Sequence, residues 1–169
     1  PGKVNQRADL LSRWKKDHTD IRLPQVCFEQ VEQAFGPHSV DMFATRDNAL
    51  LPRFVSWRPD PDSIATDAFM FPMKNENPYC FPPVACIPRL LREVLHQQAT
   101  ITLVAPDWAA PWTPDLRRLL VAPPIRLLCN PAQKGSDFQS WNLTCFRISG
   151  SLLKTSAFRR ACLLYTSPS

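Results

Sequence analysis

Apolar positions in this chain fall into short clusters that alternate between helical and extended spacing. Over 24–35, Val26, Cys27, Val31, Ala34 and Phe35 recur at helical spacing, and Gly36 with Pro37 supplies a stop. Residues 39–44 (S-V-D-M-F-A) read as a short buried strand with one acid, Asp41, lodged in it. Residues 53–57 are a second strand candidate, followed by a proline-rich turn over 58–62. The apolar stretches 67–71 and 79–81 end at prolines, as strands do when they run into loops. Ile87, Leu90, Leu91, Val94 and Leu95 make an amphipathic helical stripe, with Pro88 tolerable in its first turn. Residues 100–105 (T-I-T-L-V-A) are the strongest strand, β-branched and bounded by Pro106. A short helix over 114–121 and a buried strand over 125–129 follow. Strands alternating with helices predict an α/β fold. Its sheet is Rossmann-like and mostly parallel, with helices on both faces and extended basic ends.

Composition narrows the chemistry. The chain has 169 residues with eighteen prolines and only four glycines, and it is 44% hydrophobic, enough for a core. Gly2, Gly36, Gly135 and Gly150 are too far apart for a GxGxxG turn or a Walker A loop, which excludes those phosphate cradles. The net charge of +5 is uneven: residues 1–16 carry +4, residues 147–169 carry another +4, and the body carries −3. An electrostatic grip on nucleic acid therefore rests on the ends. The six cysteines show no CxxC and there is no histidine pair at metal spacing, so zinc is not expected. Free thiols, no secretory pattern and no membrane-length apolar run predict an intracellular chain, in cytoplasm and nucleus. The first residue is Pro1 rather than Met, as in a piece of a longer protein.

The opening P-G-K-V-N-Q-R-A-D-L-L-S-R resembles the last stretch of the RNase H domain in retroelement polymerases, matching H-x-P-G-x-x-N-x-x-A-D-x-L-S-R at Pro1, Gly2, Asn5, Ala8, Asp9, Leu11, Ser12 and Arg13. By that resemblance Asp9 is the final metal-binding carboxylate. Hydrolysis there needs several carboxylates holding hard cations. Asp9 has no partner acids in this chain, so its metal site is incomplete. Magnesium belongs to the complete RNase H domain only.

The body then carries F-G-P-H-S-V-D-M-F-A-T-R-D-N-A-L-L-P-R-F-V-S-W (35–57), D-A-F (67–69), Y-C-F-P-P (79–83), V-A-P-D-W-A-A-P-W (104–112) and F-R-I-S-G (146–150), in that order. This succession resembles the region after RNase H in DIRS-type and Ngaro-type tyrosine-recombinase retrotransposons, over residues 1–150. That region is in turn similar to Dam-like DNA adenine N6-methyltransferases. Asp41, Asn48, Asp67 and the run Phe81, Pro82, Pro83, Val84 occupy the matching places. In those enzymes an N-P-P-Y asparagine orients the adenine amine and the aromatic stacks on the flipped base. Phe81 has no acceptor and Val84 no stacking face, so the groups that position the amine are gone.

The resemblance implies a fragment of a retrotransposon polyprotein whose parent is an RNA-directed DNA polymerase with ribonuclease H. Residues 1–16 end a truncated RNase H domain, and 17–130 form a degenerate Dam-like methyltransferase domain. Residues 131–161 are an extended linker toward a recombinase. Residues 162–169 (C-L-L-Y-T-S-P-S) resemble a translated sequencing adaptor. The domain is then non-catalytic, and structural or nucleic-acid-docking. Its alternatives are an active adenine methyltransferase and a ligand-free connector. No cofactor is expected in the fragment, S-adenosylmethionine being the one candidate. Partners are an RNA–DNA hybrid or DNA, plus the neighbouring reverse transcriptase/RNase H and recombinase domains, with no membrane. Arg13, Lys15 and Lys16 are the nucleic-acid contact candidates.

Each site residue has a plainer alternative. Asp41 reaches a ligand from the sheet's carboxyl edge or caps a loop. Asn48 contacts a cofactor or, next to Asp47, serves a turn. Asp67 faces a pocket or begins a strand. Trp108 and Trp112 stack bases or pack on the sheet's end. His18, His38 and His96 are read as surface residues.

Overall fold

A computed structural model of the chain describes residues 22–128 and 142–166. Helix α1 (Gln25–Phe35) leads into β1 (Val40–Asp41), β2 (Val55–Ser56) and β3 (Ala65–Thr66). A 3-10 turn at Ala68–Met70 precedes β4 (Pro78–Cys80), and a second at Val84–Cys86 opens α2 (Ile87–Gln97). Then come β5 (Thr100–Pro106), α3 (Thr113–Arg118), β6 (Ile125–Arg126), β7 (Leu143–Ser149) and α4 (Leu152–Thr166).

The main sheet runs β1-β4-β5-β7-β6, with β1, β4 and β5 mutually parallel. The parallel pair β2–β3 joins its edge through the bridge between Asp41 and Phe54 and the bond from Asp41 N to Arg53 O at 2.9 Å. Across the molecule the order reads β3-β2-β1-β4-β5-β7-β6, and among the described strands only β7 is reversed. This is the mostly parallel, Rossmann-like α/β arrangement expected. All of β4, and all of β5 after Thr100, is buried, as in strands covered on both faces. The direction of strand addition reverses between β1 and β4, which is where such sheets take ligands.

Local chemistry explains the elements. Helix α2 crosses over between β4 and β5 and buries Ile87, Leu90, Leu91 and Val94, each contributing about 1.5–3 kcal/mol. Leu95, counted in the stripe, is 47% exposed. Proline starts β4 and ends β5, positions where a missing N–H interrupts no central ladder. The strand expected over 67–71 is instead a 3-10 turn. Asp67 takes φ 68° there, and its carboxylate accepts from Phe69 N at 3.0 Å.

The expected linker over 131–161 differs most from the structure. Within it, β7 pairs with β5 along seven residues and carries β6 on its other side, so this stretch completes the sheet. Helix α4 then continues through residues 162–166, with Leu163 67% exposed and Leu164 80% exposed. No helix among the described residues is long and apolar enough to cross a membrane. Free thiols are found at Cys80, Cys86, Cys145 and Cys162, but Cys27 is disulfide-bonded, correcting the reading that every cysteine is free.

Gly150 is a close-approach position. Its N–H donates to Ala99 O at 2.9 Å, and a Cβ there would lie 2.1 Å from the Val94 carbonyl oxygen. That backbone belongs to the end of α2 and has no flexible tip to move aside. Gly150→Ala is expected to destabilise the fold by about 1–3 kcal/mol through overpacking, read as a lowered urea midpoint with an unchanged m-value.

Candidate functional site

The segments that leave β1, β3 and β4 at their carboxyl ends surround a crevice of about 270 Å³. Its walls include Phe43 and Thr45 after β1, Asp67 and Phe69 after β3, and Pro83 and Cys86 after β4. Three of the segments singled out in the sequence thus meet at the switch point, around a space just below the ~300–1,000 Å³ of typical ligand cavities. The crevice is open: Phe81 packs against the core and is not among the lining residues. Val84 is buried in the same core and offers nothing to the crevice.

Asp41 is not in the wall. It is 3% exposed, and its carboxylate accepts from the Leu50 N–H at 3.1 Å and from the Phe43 amide. Burial pushes its pKa up to about 6, while those two amides and the nearby Arg22 pull the other way. The geometry is that of a loop cap. Asn48 is also buried, and its Oδ1 accepts from Thr45 N at 2.6 Å within a turn. Asp67 does line the crevice and supplies its one carboxylate. Cys86 lines it too, but burial raises its thiol pKa, so it is a poor nucleophile. Asp9, Arg13, Lys15 and Lys16 lie outside the described residues, as does His18.

The residues present do not fit S-adenosylmethionine. Its ribose hydroxyls and methionyl ammonium need several acceptors. The end of β2, where nucleotide-binding sheets place a ribose-binding acid, holds Ser56 and Trp57 instead. The Ser56 hydroxyl is already spent on Arg58 O, and the Asp41 carboxylate is spent on backbone amides.

The mouth carries what sequence reasoning missed. Trp57 lines the crevice and is 52% exposed, with the Arg58 guanidinium 3.9 Å over its ring. Phe69, another wall residue, has the Arg89 guanidinium 4.0 Å over its ring and meets Phe43 edge-on at 5.7 Å. The available signal was the W-R pair at the end of a predicted strand. Arg89 comes from another element, and nothing in the linear pattern ties it to Phe69.

At the opposite, amino end of the strands is a polar chain. His38, read as a surface residue, is buried: its Nδ1 meets Glu32 and its Nε2 is 2.8 Å from Thr102 Oγ1. The reason is topological, because His38 enters β1 beneath α1, whose Glu32 supplies a partner. Arg147 on β7 donates to Thr102 Oγ1 at 2.8 Å and to Asn77 Oδ1 at 2.7 Å. His96 is exposed. Trp112 is 7% exposed and packs with the half-buried Trp108 against the end of β5.

No protein-family model and no curated protein matches the chain.

The Asp41 geometry gives a pH dependence. Between pH 3.8 and about 6 the folded chain binds a proton at Asp41 that the unfolded chain has lost. Its contribution is therefore full at low pH and is lost as pH rises through about 6. Asp41→Asn, which keeps a carbonyl acceptor without the charge, is expected to match the parent's stability below pH 3.8 and to gain on it as pH rises from there. By pH 7.5 it should exceed the parent by about 1–3 kcal/mol in urea denaturation.

Proposed function

We propose that this chain is part of a retrotransposon polyprotein of the DIRS or Ngaro type. Its Rossmann-like domain derives from an adenine methyltransferase and acts without catalysis, as a nucleic-acid-docking module beside RNase H. One observation carries the loss of catalysis. A crevice stands at the switch point, yet the turn after β4 supplies no side-chain acceptor, since Phe81, Pro82, Pro83 and Val84 have none. Without a carbonyl to orient an amine or a ring to hold a base, a methyl acceptor cannot be aligned for transfer.

Support for docking comes from the basic ends and from the arginines at the crevice mouth. Of the basic C-terminal stretch, Lys154, Arg159 and Arg160 are exposed on α4. Arginine on aromatic rings is a recurrent way to meet bases and phosphates. The compartment that suits such a module is intracellular, with access to reverse-transcription intermediates.

The full chain is expected to transfer no methyl group from S-adenosylmethionine to duplex DNA and to show no saturable calorimetric binding of it. The same chain should bind single-stranded DNA or an RNA–DNA hybrid with an affinity that collapses as salt rises. Methyl transfer that disappears in Asp41→Ala would establish the active enzyme instead. Absence of any salt-dependent binding would leave only a connector.

A further inference from the structure

We infer that the crevice mouth is a stacking platform for single-stranded DNA, with Trp57 and Phe69 as the base-facing rings and Arg58 and Arg89 as the phosphate partners. This rests on the docking reading above and gives it a surface and a class of strand.

The rings and cations are arranged in pairs. Arg58 sits 3.9 Å over Trp57 and Arg89 sits 4.0 Å over Phe69, and both rings belong to the crevice wall. Among the described residues neither guanidinium has a carboxylate partner. By contrast Arg46 is tied to Asp60 and Asp62, and Arg53 is tied to Glu76. The arginines over Trp57 and Phe69 are thus open to an anion. Each already sits over a ring, so less side-chain freedom remains to be lost on binding. Trp57 at 52% exposure is a large apolar surface that the fold itself does not cover. Stacked bases cover such rings without demanding a particular sequence.

The choice of strand follows from what the site lacks. A reader of RNA or of free nucleosides offers a partner to the 2′-hydroxyl. Beside Trp57, at the end of β2, Ser56 is buried and its hydroxyl donates to Arg58 O, while the polar wall residues Thr45 and Asp67 belong to the segments after β1 and β3. An apolar, ring-lined mouth flanked by cations suits a deoxyribose backbone. A duplex would keep its base faces stacked inside, so the strand must be single. The Asp67 carboxylate in the wall is a hydrogen-bond acceptor only. It favours a base with an exocyclic amine, such as cytosine or adenine, over thymine.

The test uses the full chain and a fluorescein-labelled twelve-nucleotide oligo-dC, read by anisotropy across a salt series, with oligo-dT and oligo-C RNA as comparisons. Oligo-dC is expected to bind most tightly of the three. Trp57→Ala should weaken it about tenfold, while Trp57→Phe, which keeps a ring, recovers most of the loss. The double variant Arg58→Gln/Arg89→Gln should weaken it similarly and reduce the slope of log K against log salt by about 1.4, as for two lost phosphate contacts on a single strand. All three positions are at the surface mouth, so thermal melting should be unchanged. If the chain binds DNA but these variants bind like the parent, this platform is wrong while the docking reading stands. If the parent shows no salt-dependent binding to any probe, both fail.

Discussion

The sheet depends on a chain of hydrogen bonds that begins at Arg147, whose guanidinium is held half-buried in the middle of β7. No carboxylate of the described residues pairs with it directly. It is held by neutral oxygens on Thr102 and Asn77 and by the ring of Phe35, 5.9 Å away. Thr102 accepts from Arg147 and shares a hydrogen bond of 2.8 Å with His38 Nε2, and His38 Nδ1 meets Glu32. The imidazole at the centre is buried. Burial lowers the His38 pKa most, and Arg147 lowers it further, against the opposing pull of Glu32. Asn77 turns the same guanidinium contact toward α1, donating to Phe35 O at 3.0 Å and Pro37 O at 2.8 Å. One cation therefore ties together α1, the approach to β1, the approach to β4, and the strands β5 and β7. Removing any single member leaves a polar or charged group without its partner inside the fold, which costs more than the bond itself contributed.

That concentration of polar contacts at the amino end has a consequence at the other end. The parallel strands are fixed in register where they begin, and their carboxyl ends are free to diverge into loops of different length. Those loops are braced locally and separately: Asp41 caps the Leu50 amide, Asn48 closes the turn at Thr45, and Asp67 caps Phe69. Two of the polar side chains near the switch point are therefore consumed in holding backbone. The crevice between them is left mostly apolar, and Asp67 alone puts a carboxylate into it. Asp41 shows the energetic side of this arrangement, since burying it raises its pKa to about 6, so that the charge it carries at neutral pH is held at a cost to the fold.

Much of the fold was legible because its signals are local. The α2 stripe, the β-branched run of β5 and the stop after Phe35 each follow from a few adjacent residues. The third stretch, 67–71, misled because its apolar composition suits a strand, while the positive φ of Asp67 that makes it a turn leaves no mark on composition. β7 was missed for a different reason. L-T-C-F-R-I-S does not alternate, because its buried positions fall on both faces and its one arginine belongs to an interior network. His38 failed as a surface residue on the same grounds: its partners Glu32 and Thr102 come from a helix and a distant strand. The site divided along this line too. The motif segments converge as their order suggested, but the ring–cation pairs at the mouth join residues 20 positions apart for Phe69 and Arg89, a pairing set only by the path of the chain.

The turn after β4 shows how shape and chemistry separate in such a fold. Its path is set by backbone: Pro83 holds φ −52° and ψ 139°, and the Cys86 N–H closes on Pro83 O at 2.8 Å to begin the 3-10 turn that enters α2. None of that requires an asparagine at position 81 or an aromatic at position 84. Phe81 packs against the core and Val84 is buried in it, so the side chains of this turn support its backbone rather than the crevice. The prolines that crowd the carboxyl edge keep the crevice in place regardless of what the side chains beside them do. The crevice wall is thus set by the backbone of the segments leaving β1, β3 and β4, and its side chains are mostly apolar, with Trp57 and Phe69 each beneath an arginine.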